Sequence, residues 1–256
     1  MIIKLDNLTV GYSSKIILQG LNVEISEGES VCLLGPNGIG KTTIFRTLLG
    51  LISPLNGSIS IDGVNLKKLN NKELAHYFSY VPQAKNYSYQ FTVEEIVLMG
   101  RAMYIRKFGE TTKEDYAIAH DAMEKLDILK MKDKLYSELS GGEQQIVLIA
   151  RALSQNARFI IMDEPASNLD FSNQKKLLEV IKSLSSMNVG IIMASHSPEH
   201  AFICCNKALL VRKDKNYLYG SVEDIVTSKN LSQAFGVDIE VIESPNNGRL
   251  KACGLK

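Results

Sequence analysis

"VCLLGPNGIGKTTIF", residues 31 to 45, decides the fold. Val31 to Leu34 form a continuous apolar run that stops at Gly35, and Ile44, Phe45, Leu48 and Leu49 then recur at helical spacing. The stretch predicts strand, loop, helix. The loop itself, "GPNGIGKTT" from 35 to 43, fits G-x-x-x-x-G-K-[ST]. Backbone N–H groups of such a loop surround phosphate oxygens, and the N-terminus of the following helix adds a partial positive charge. Gly35, Pro36, Asn37, Gly38, Ile39, Gly40, Lys41, Thr42 and Thr43 are therefore the candidate phosphate cradle. Lys41 is placed to hold the β- and γ-phosphates of a nucleoside triphosphate, and the Thr42 hydroxyl to ligate Mg²⁺.

Working outward, three further apolar runs end in polar residues: "FIIMDEP" (159–165), "GIIMASH" (190–196) and "ALLV" (208–211). Helical patterns separate them. Such alternation implies a parallel sheet covered by helices, an α/β fold. Asp163 follows four apolar residues, at the sheet edge that also carries the phosphate loop, where a carboxylate can bind the Mg²⁺ shell. Glu164, one residue on, stands near the attacking water and is the candidate general base. Short alternating strands occupy residues 1–28, and "NGSISIDG" (56–63) adds another.

From about 84 to 152 the strand signals disappear, and an inserted helical subdomain is expected. Thr92 with Glu95 makes a capping box, and Phe91 with Ile96 a hydrophobic staple, opening a helix at "FTVEEIVLMG". Near the other end, from about 237 to 256, "DIEVIESPNNGRLKACG" predicts a β-hairpin extension with a type I′ turn at Asn247-Gly248.

Bulk properties exclude several classes. With 256 residues, 45% of them hydrophobic, the chain can bury a substantial core as one domain with lobes. Lys plus Arg number 29 against 28 for Asp plus Glu, so no basic field points to nucleic acid. No apolar run approaches the ~18 residues of a membrane helix, and "MIIKLDNLTV" carries charges where a signal peptide is apolar. A cytoplasmic chain is expected. Cys32, Cys204, Cys205 and Cys253 show no metal-ligand spacing and read as reduced structural thiols.

"LSGGEQQ", 139 to 145, remains unexplained by any of this. Ser140 and Glu143 already cap the helix that begins there, and Gly141 and Gly142 only weaken its first turn. Together with the phosphate loop and the acid pair, this segment makes the chain resemble the ATP-binding subunit of an ABC transporter over nearly its whole length. The resemblance implies a P-loop nucleoside triphosphatase (RecA-like) parallel-sheet core with an antiparallel β subdomain and the inserted helical subdomain. It also implies that Ser140, Gly141 and Gly142 bind the γ-phosphate of an ATP held by the phosphate loop of a second copy, in a head-to-tail homodimer. Tyr12 is similar to the aromatic that stacks on adenine. Gln83 in "YVPQ" matches the glutamine that senses Mg²⁺ and γ-phosphate, His196 in "MASHS" the histidine that contacts the γ-phosphate and supports Glu164, and Asp170 in "SNLD" the loop crossing the dimer interface.

Three departures from the family pattern stand out. Ile146 occupies a usual arginine position, Ser197 a usual aspartate, and Ile39 a usual small residue of which only the backbone is expected to matter. "FTVEEIVLMGRAMY", the Gly100-Arg101 pair and the ending "NLSQAFGVDIEVI" resemble ATPases of importers for iron chelates, haem and cobalamin. Gly100-Arg101 also reads as a plain helix C-terminus with a cation on its last carbonyls. The resemblance implies a chain peripheral on the cytoplasmic face of the membrane, bound to a permease dimer through a groove near "KNYSYQ" (85–90) and indirectly served by an extracytoplasmic substrate-binding protein. A soluble relative acting on a scaffold such as iron–sulfur cluster assembly is the alternative. A DNA-organising or ribosome-associated ATPase is disfavoured by the balanced charge and the single nucleotide-binding unit.

Overall fold

Strand β3 (Ser30–Leu34) lies inside a six-stranded sheet of order β10-β9-β3-β8-β7-β6. Its partners are β6 (Phe78–Val81), β7 (Phe159–Asp163), β8 (Gly190–Ser195), β9 (Lys207–Val211) and β10 (Tyr217–Ser221). All are parallel except β10, which returns antiparallel on β9. The computed structural model describes residues 1–13, 15–83, 90–105, 109–244 and 247–255.

The apolar runs are continuous because both faces of this sheet are covered. Side chains alternate across a strand, so Cys32, Leu34, Ile160, Met162, Ile191 and Met193 enter one core. Val31, Leu33, Phe159, Ile161, Ile192 and Ala194 enter the other. The first core lies under α5 (Gly141–Ser154), α6 (Phe171–Ser185) and α7 (Pro198–Cys204). The second lies between the sheet, α1 (Lys41–Leu48) and a four-stranded antiparallel sheet, β2-β1-β4-β5. That sheet comprises β1 (Ile2–Tyr12), β2 (Lys15–Ser26), β4 (Asn56–Ile61) and β5 (Val64–Asn65). A short helix, α2 (Asn71–Tyr77), leads into β6.

Between β6 and β7 no strand is found among the described residues, only an isolated bridge from Thr92 to Leu135. Helices α3 (Val93–Leu98), α4 (Lys113–Lys125) and α5 pack on one another there. Each opens on a reciprocal capping box: Thr92 with Glu95, Thr112 with Asp115, Ser140 with Glu143. Gly100 and Arg101 serve this packing rather than ending a helix on their own carbonyls. A Cβ on Gly100 would lie 2.1 Å from the Arg151 carbonyl oxygen, so only glycine admits α5 this closely. The Arg101 guanidinium is buried, 3.0 Å from Asp115, and donates to the Ser154 carbonyl of α5 at 2.9 Å.

Beyond β10, α8 (Val222–Ile225) and α9 (Ser228–Phe235) precede a two-stranded antiparallel sheet, β11 (Ile239–Ser244) with β12 (Asn247–Leu255). The expected turn position is corrected here. Asn247 and Gly248 belong to β12, with Asn247 paired to Ser244, and the connecting positions 245–246 lie outside the described residues.

Candidate active site

Register brings the site together. Leu34 pairs with Ser195, Asp163 with Ala194 and Val81 with Met162, so four parallel strands end level at one edge. The phosphate loop follows β3, Gln83 follows β6, Glu164 follows β7 and His196 follows β8. Open α/β sheets bind ligands at this carboxyl edge.

Helix α1 starts at Lys41 with Gly40 as its N-cap and no side-chain cap, which leaves the Lys41 and Thr42 N–H groups to a ligand while the Thr43 N–H donates to the Gly40 carbonyl at 2.9 Å. Lys41 is buried; its ammonium donates to the Gly35 carbonyl at 3.0 Å and pairs with Glu164 at 3.2 Å. Thr42 donates its hydroxyl to Asp163 Oδ2 at 2.9 Å. Burial pushes the Asp163 carboxyl above its ordinary range, the Thr42 hydrogen bond opposes this, and neighbouring Glu164 adds to it. Hydroxyl and carboxylate are hard oxygen donors of the kind Mg²⁺ takes, so this pair fits that ion. Ile39 does more than lend its backbone: its side chain packs against the second core.

Glu164 has φ 48°, a left-handed conformation that costs about 1–3 kcal/mol for a non-glycine residue and turns its carboxylate toward the loop. One oxygen faces Lys41 and the other lies 3.5 Å from His196 Nδ1. The turn is held by Ser167, whose hydroxyl donates to the Glu164 carbonyl at 2.8 Å. Gln83 donates to that same Ser167 hydroxyl at 3.0 Å and thus reaches the acid pair through an intermediary. Sequence reasoning missed Ser167; its only signal is a serine three residues after the acid. It also missed Tyr80, on β6, whose hydroxyl is 3.5 Å from Asp163. Tyr12, at the end of β1, stands half-exposed beside α1, and hydrogen bonds with Thr43 and then Arg46 hold its phenol below the ordinary range.

Ser140, Gly141 and Gly142 lie elsewhere. Among the described residues no hydrogen bond or ion pair joins them to the phosphate loop, the acid pair or His196. Ser140 donates its hydroxyl to Glu143 at 2.7 Å. Gly142 has a reason within the chain, since a Cβ there would meet Asn173 of α6 at 2.8 Å. Gly141 has none of comparable force: its nearest neighbour would be Leu169 at 3.5 Å. Asp170 caps α6 by accepting the Asn173 N–H at 2.8 Å. The segment 140–142 and the loop 167–170 are thus adjacent. Ile146 packs on the first core, and Ser197 donates to Glu199 at 2.5 Å.

A second concavity, of about 400 Å³, lies on the helical part, lined by Pro82, Phe91, Ile96, Met99, Tyr136, Leu148 and Arg151. It begins one residue before Gln83. Of "KNYSYQ", all but Gln90 lies outside the described residues. The cysteines are free thiols, and among the described residues no group of three or more His, Cys, Asp or Glu is arranged to hold a metal. No helix among them is long and apolar enough to cross a membrane.

Comparison with known proteins agrees with this geometry. The profile of the ABC transporter family matches residues 18–167. An uncharacterized ABC transporter ATP-binding protein of Haemophilus influenzae is 36% identical over 98% of this chain and 95% of its own length. A probable iron chelatin transport ATP-binding protein of Helicobacter pylori is 32% identical over 96% and 97%. Among solved structures, one described as "a putative metal-chelate type ABC transporter" in an inward-facing conformation superposes with a TM-score of 0.87 at 29% identity, covering 99% of this chain and 97% of that one. With the phosphate loop, acid pair and histidine converging at one sheet edge, the chain belongs to the ABC transporter family, as an ATP-binding subunit that hydrolyses ATP.

Proposed function

We propose that this ATPase powers an importer of a metal chelate, such as an iron siderophore, haem or cobalamin. The observation that carries the substrate class is the end-to-end likeness to a metal-chelate type transporter, which includes the C-terminal part of the chain. The working unit is a head-to-tail homodimer, peripheral on the cytoplasmic face of the membrane and seated on a permease dimer. An extracytoplasmic binding protein delivers the chelate to that permease.

Lys41 holds the β- and γ-phosphates, while Tyr12 offers a face for adenine. Lys41 and Glu164 are paired at 3.2 Å, which occupies one oxygen of the carboxylate. Phosphates that draw Lys41 away leave Glu164 free to accept a proton from the attacking water. His196, on the other oxygen of Glu164, keeps that carboxylate aimed. Thr42 and Asp163 would hold Mg²⁺, with Gln83 as a further ligand, and that ion would neutralise charge on the phosphates. Ser140, Gly141 and Gly142 lie away from their own phosphate loop, which supports their acting on the nucleotide of the second copy. The groove from Pro82 to Arg151 supports docking of a permease helix beside Gln83.

Reconstitution with a permease that captures this chain tests the reading. ATP-dependent uptake of a ferric siderophore, haem or cobalamin is expected, and a substitution that blocks Glu164 should abolish it. Uptake of molybdate alone, or stable capture by a soluble iron–sulfur assembly scaffold in place of a permease, would overturn it.

A further inference from the structure

The C-terminal hairpin is not a free tail. The N–H groups of Ile239 and Val241 donate to Ser232 and Ser228 of α9, each at 2.9 Å. Lys251 pairs with Glu223 and, at 3.0 Å, with Glu243, and its ammonium stands 5.5 Å from the Phe202 ring of α7. Strand β12 packs along α7, the helix that starts two residues after His196.

One side chain joins the hairpin to the His196 loop. Glu199 uses both carboxylate oxygens: Oε2 accepts the Ser197 hydroxyl at 2.5 Å, and Oε1 accepts the Cys253 N–H of β12 at 3.0 Å. Burial first, and the Glu199 carboxylate second, push the Cys253 thiol up to about 11, so at neutral pH this cysteine is an inert partner. The loop itself is short and tied. The Ser195 hydroxyl, buried, accepts the Ser197 N–H at 3.0 Å and lies 2.9 Å from His200 Nδ1. His196 is therefore the one residue between two fixed serines. Its ring reaches Glu164, and Ser197 is fixed through Glu199 to the hairpin.

We propose that Glu199 is a positioning residue, a carboxylate bridge through which the C-terminal hairpin sets the position of His196. The proposal rests on the reading of His196 as the partner of Glu164, and goes beyond it in making turnover depend on residues 239–255. Chain outside the nucleotide site then gains a route to the chemistry: displacement of β12 releases one oxygen of Glu199 and loosens Ser197.

The test uses the full-length protein, with turnover and the chemical shifts of the ¹⁵N-labelled His196 ring at fixed pH as separate readouts. The His196 resonance is assigned by its loss in His196→Asn. Glu199→Ala is expected to lower kcat about three- to tenfold, the scale set by one or two lost hydrogen bonds, with KM for ATP nearly unchanged, and to move the His196 signal. Glu199→Gln keeps an acceptor for Cys253 and a group able to bond Ser197, and should restore kcat to within about twofold. Cys253→Pro removes the hairpin's N–H donor, and also the thiol and the strand's freedom in φ, and should move the same signal, while Cys253→Ala, which loses the thiol but keeps the donor, should not. The double variant Glu199→Ala/Cys253→Pro should be no slower than Glu199→Ala, because both cut one path. Multiplying losses in the double variant, or an unmoved His196 signal in Glu199→Ala and Cys253→Pro, overturns the bridge. A signal that moves while kcat stays unchanged overturns the dependence of turnover on residues 239–255 and removes His196 from catalysis, while the positional link from the hairpin to His196 stands.

Discussion

Replacing Asp115 with asparagine strips one charge from a buried ion pair at almost constant volume. Arg101 and Asp115 are each 6% exposed and meet at 3.0 Å. Removing one partner of such a pair typically costs about 3–5 kcal/mol, because the remaining charge stays buried. Arg101 would keep the Ser154 carbonyl at 2.9 Å and the face of Tyr104 at 3.8 Å, which places the loss near the lower end, about 3 kcal/mol. For a chain of this size that is roughly 6–12 °C in Tm. Arg101→Met/Asp115→Asn leaves no unpaired buried charge and should recover part of the loss, the Ser154 carbonyl having lost its Arg101 donor. Thermal unfolding followed by circular dichroism at neutral pH, with urea titration for the free energies, measures both. The pH dependence has a definite sign. Hydrogen bonds from Thr112, and then Arg101, hold the Asp115 carboxyl below its ordinary range. A depressed carboxyl stabilises the fold above its unfolded pKa and loses that contribution as pH falls toward the folded one. The gap between parent and Asp115→Asn should therefore narrow below about pH 4. A loss under about 1 kcal/mol, a double variant no better than the single, or a gap that widens in acid would refute the reasoning.

Glu164→Gln should leave ATP binding intact and slow hydrolysis by at least about 10²-fold, read in single-turnover assays; near-normal turnover removes Glu164 as base. Lys41→Ala should weaken ATP binding itself, measured by calorimetry, because a charge-assisted phosphate contact is lost. Gly142→Ala should be less stable than Gly141→Ala by about 1–3 kcal/mol, since both gain helix propensity but only the first collides with Asn173; equal unfolding midpoints would contradict this.

Four strands of the sheet, β3, β7, β8 and β9, were legible because they are buried on both faces, which writes them as apolar runs such as "FIIM"; β6 and β10, "FSYV" and "YLYGS", carry no such run and were not read. Two of the three capping boxes in the helical part, at Thr92 and Ser140, were legible from residue spacing with their glutamates, while the third, Thr112 with Asp115, was not read from the sequence. What stayed hidden depends on contacts between distant segments. Gly100-Arg101 looked like a helix ending because nothing local reveals that α5 passes within reach of a missing Cβ. The hairpin turn was drawn to Asn247-Gly248 by local turn chemistry, whereas pairing of Ser244 with Asn247 puts those residues in the strand. Ser167 and Glu199 each join a near neighbour, Glu164 and Ser197, to a partner 84 and 54 residues away, Gln83 and Cys253, and no periodicity marks the distant member of such a link.

Lys41→Ala disables the phosphate loop, and Gly141→Asp sets a carboxylate beside Ser140 where the nearest neighbour leaves room for it. In the proposed homodimer, either variant alone would have two damaged sites. In a heterodimer of the two, an interface-sharing arrangement gathers both lesions into one site. The other site pairs the intact loop of the Gly141→Asp chain with the intact Ser140–Gly142 segment of the Lys41→Ala chain. Occluded ATP counted in purified heterodimers is the direct measurement. About one ATP per heterodimer is expected, against none in either homodimer. Verified heterodimers that occlude none would contradict a site built from two copies.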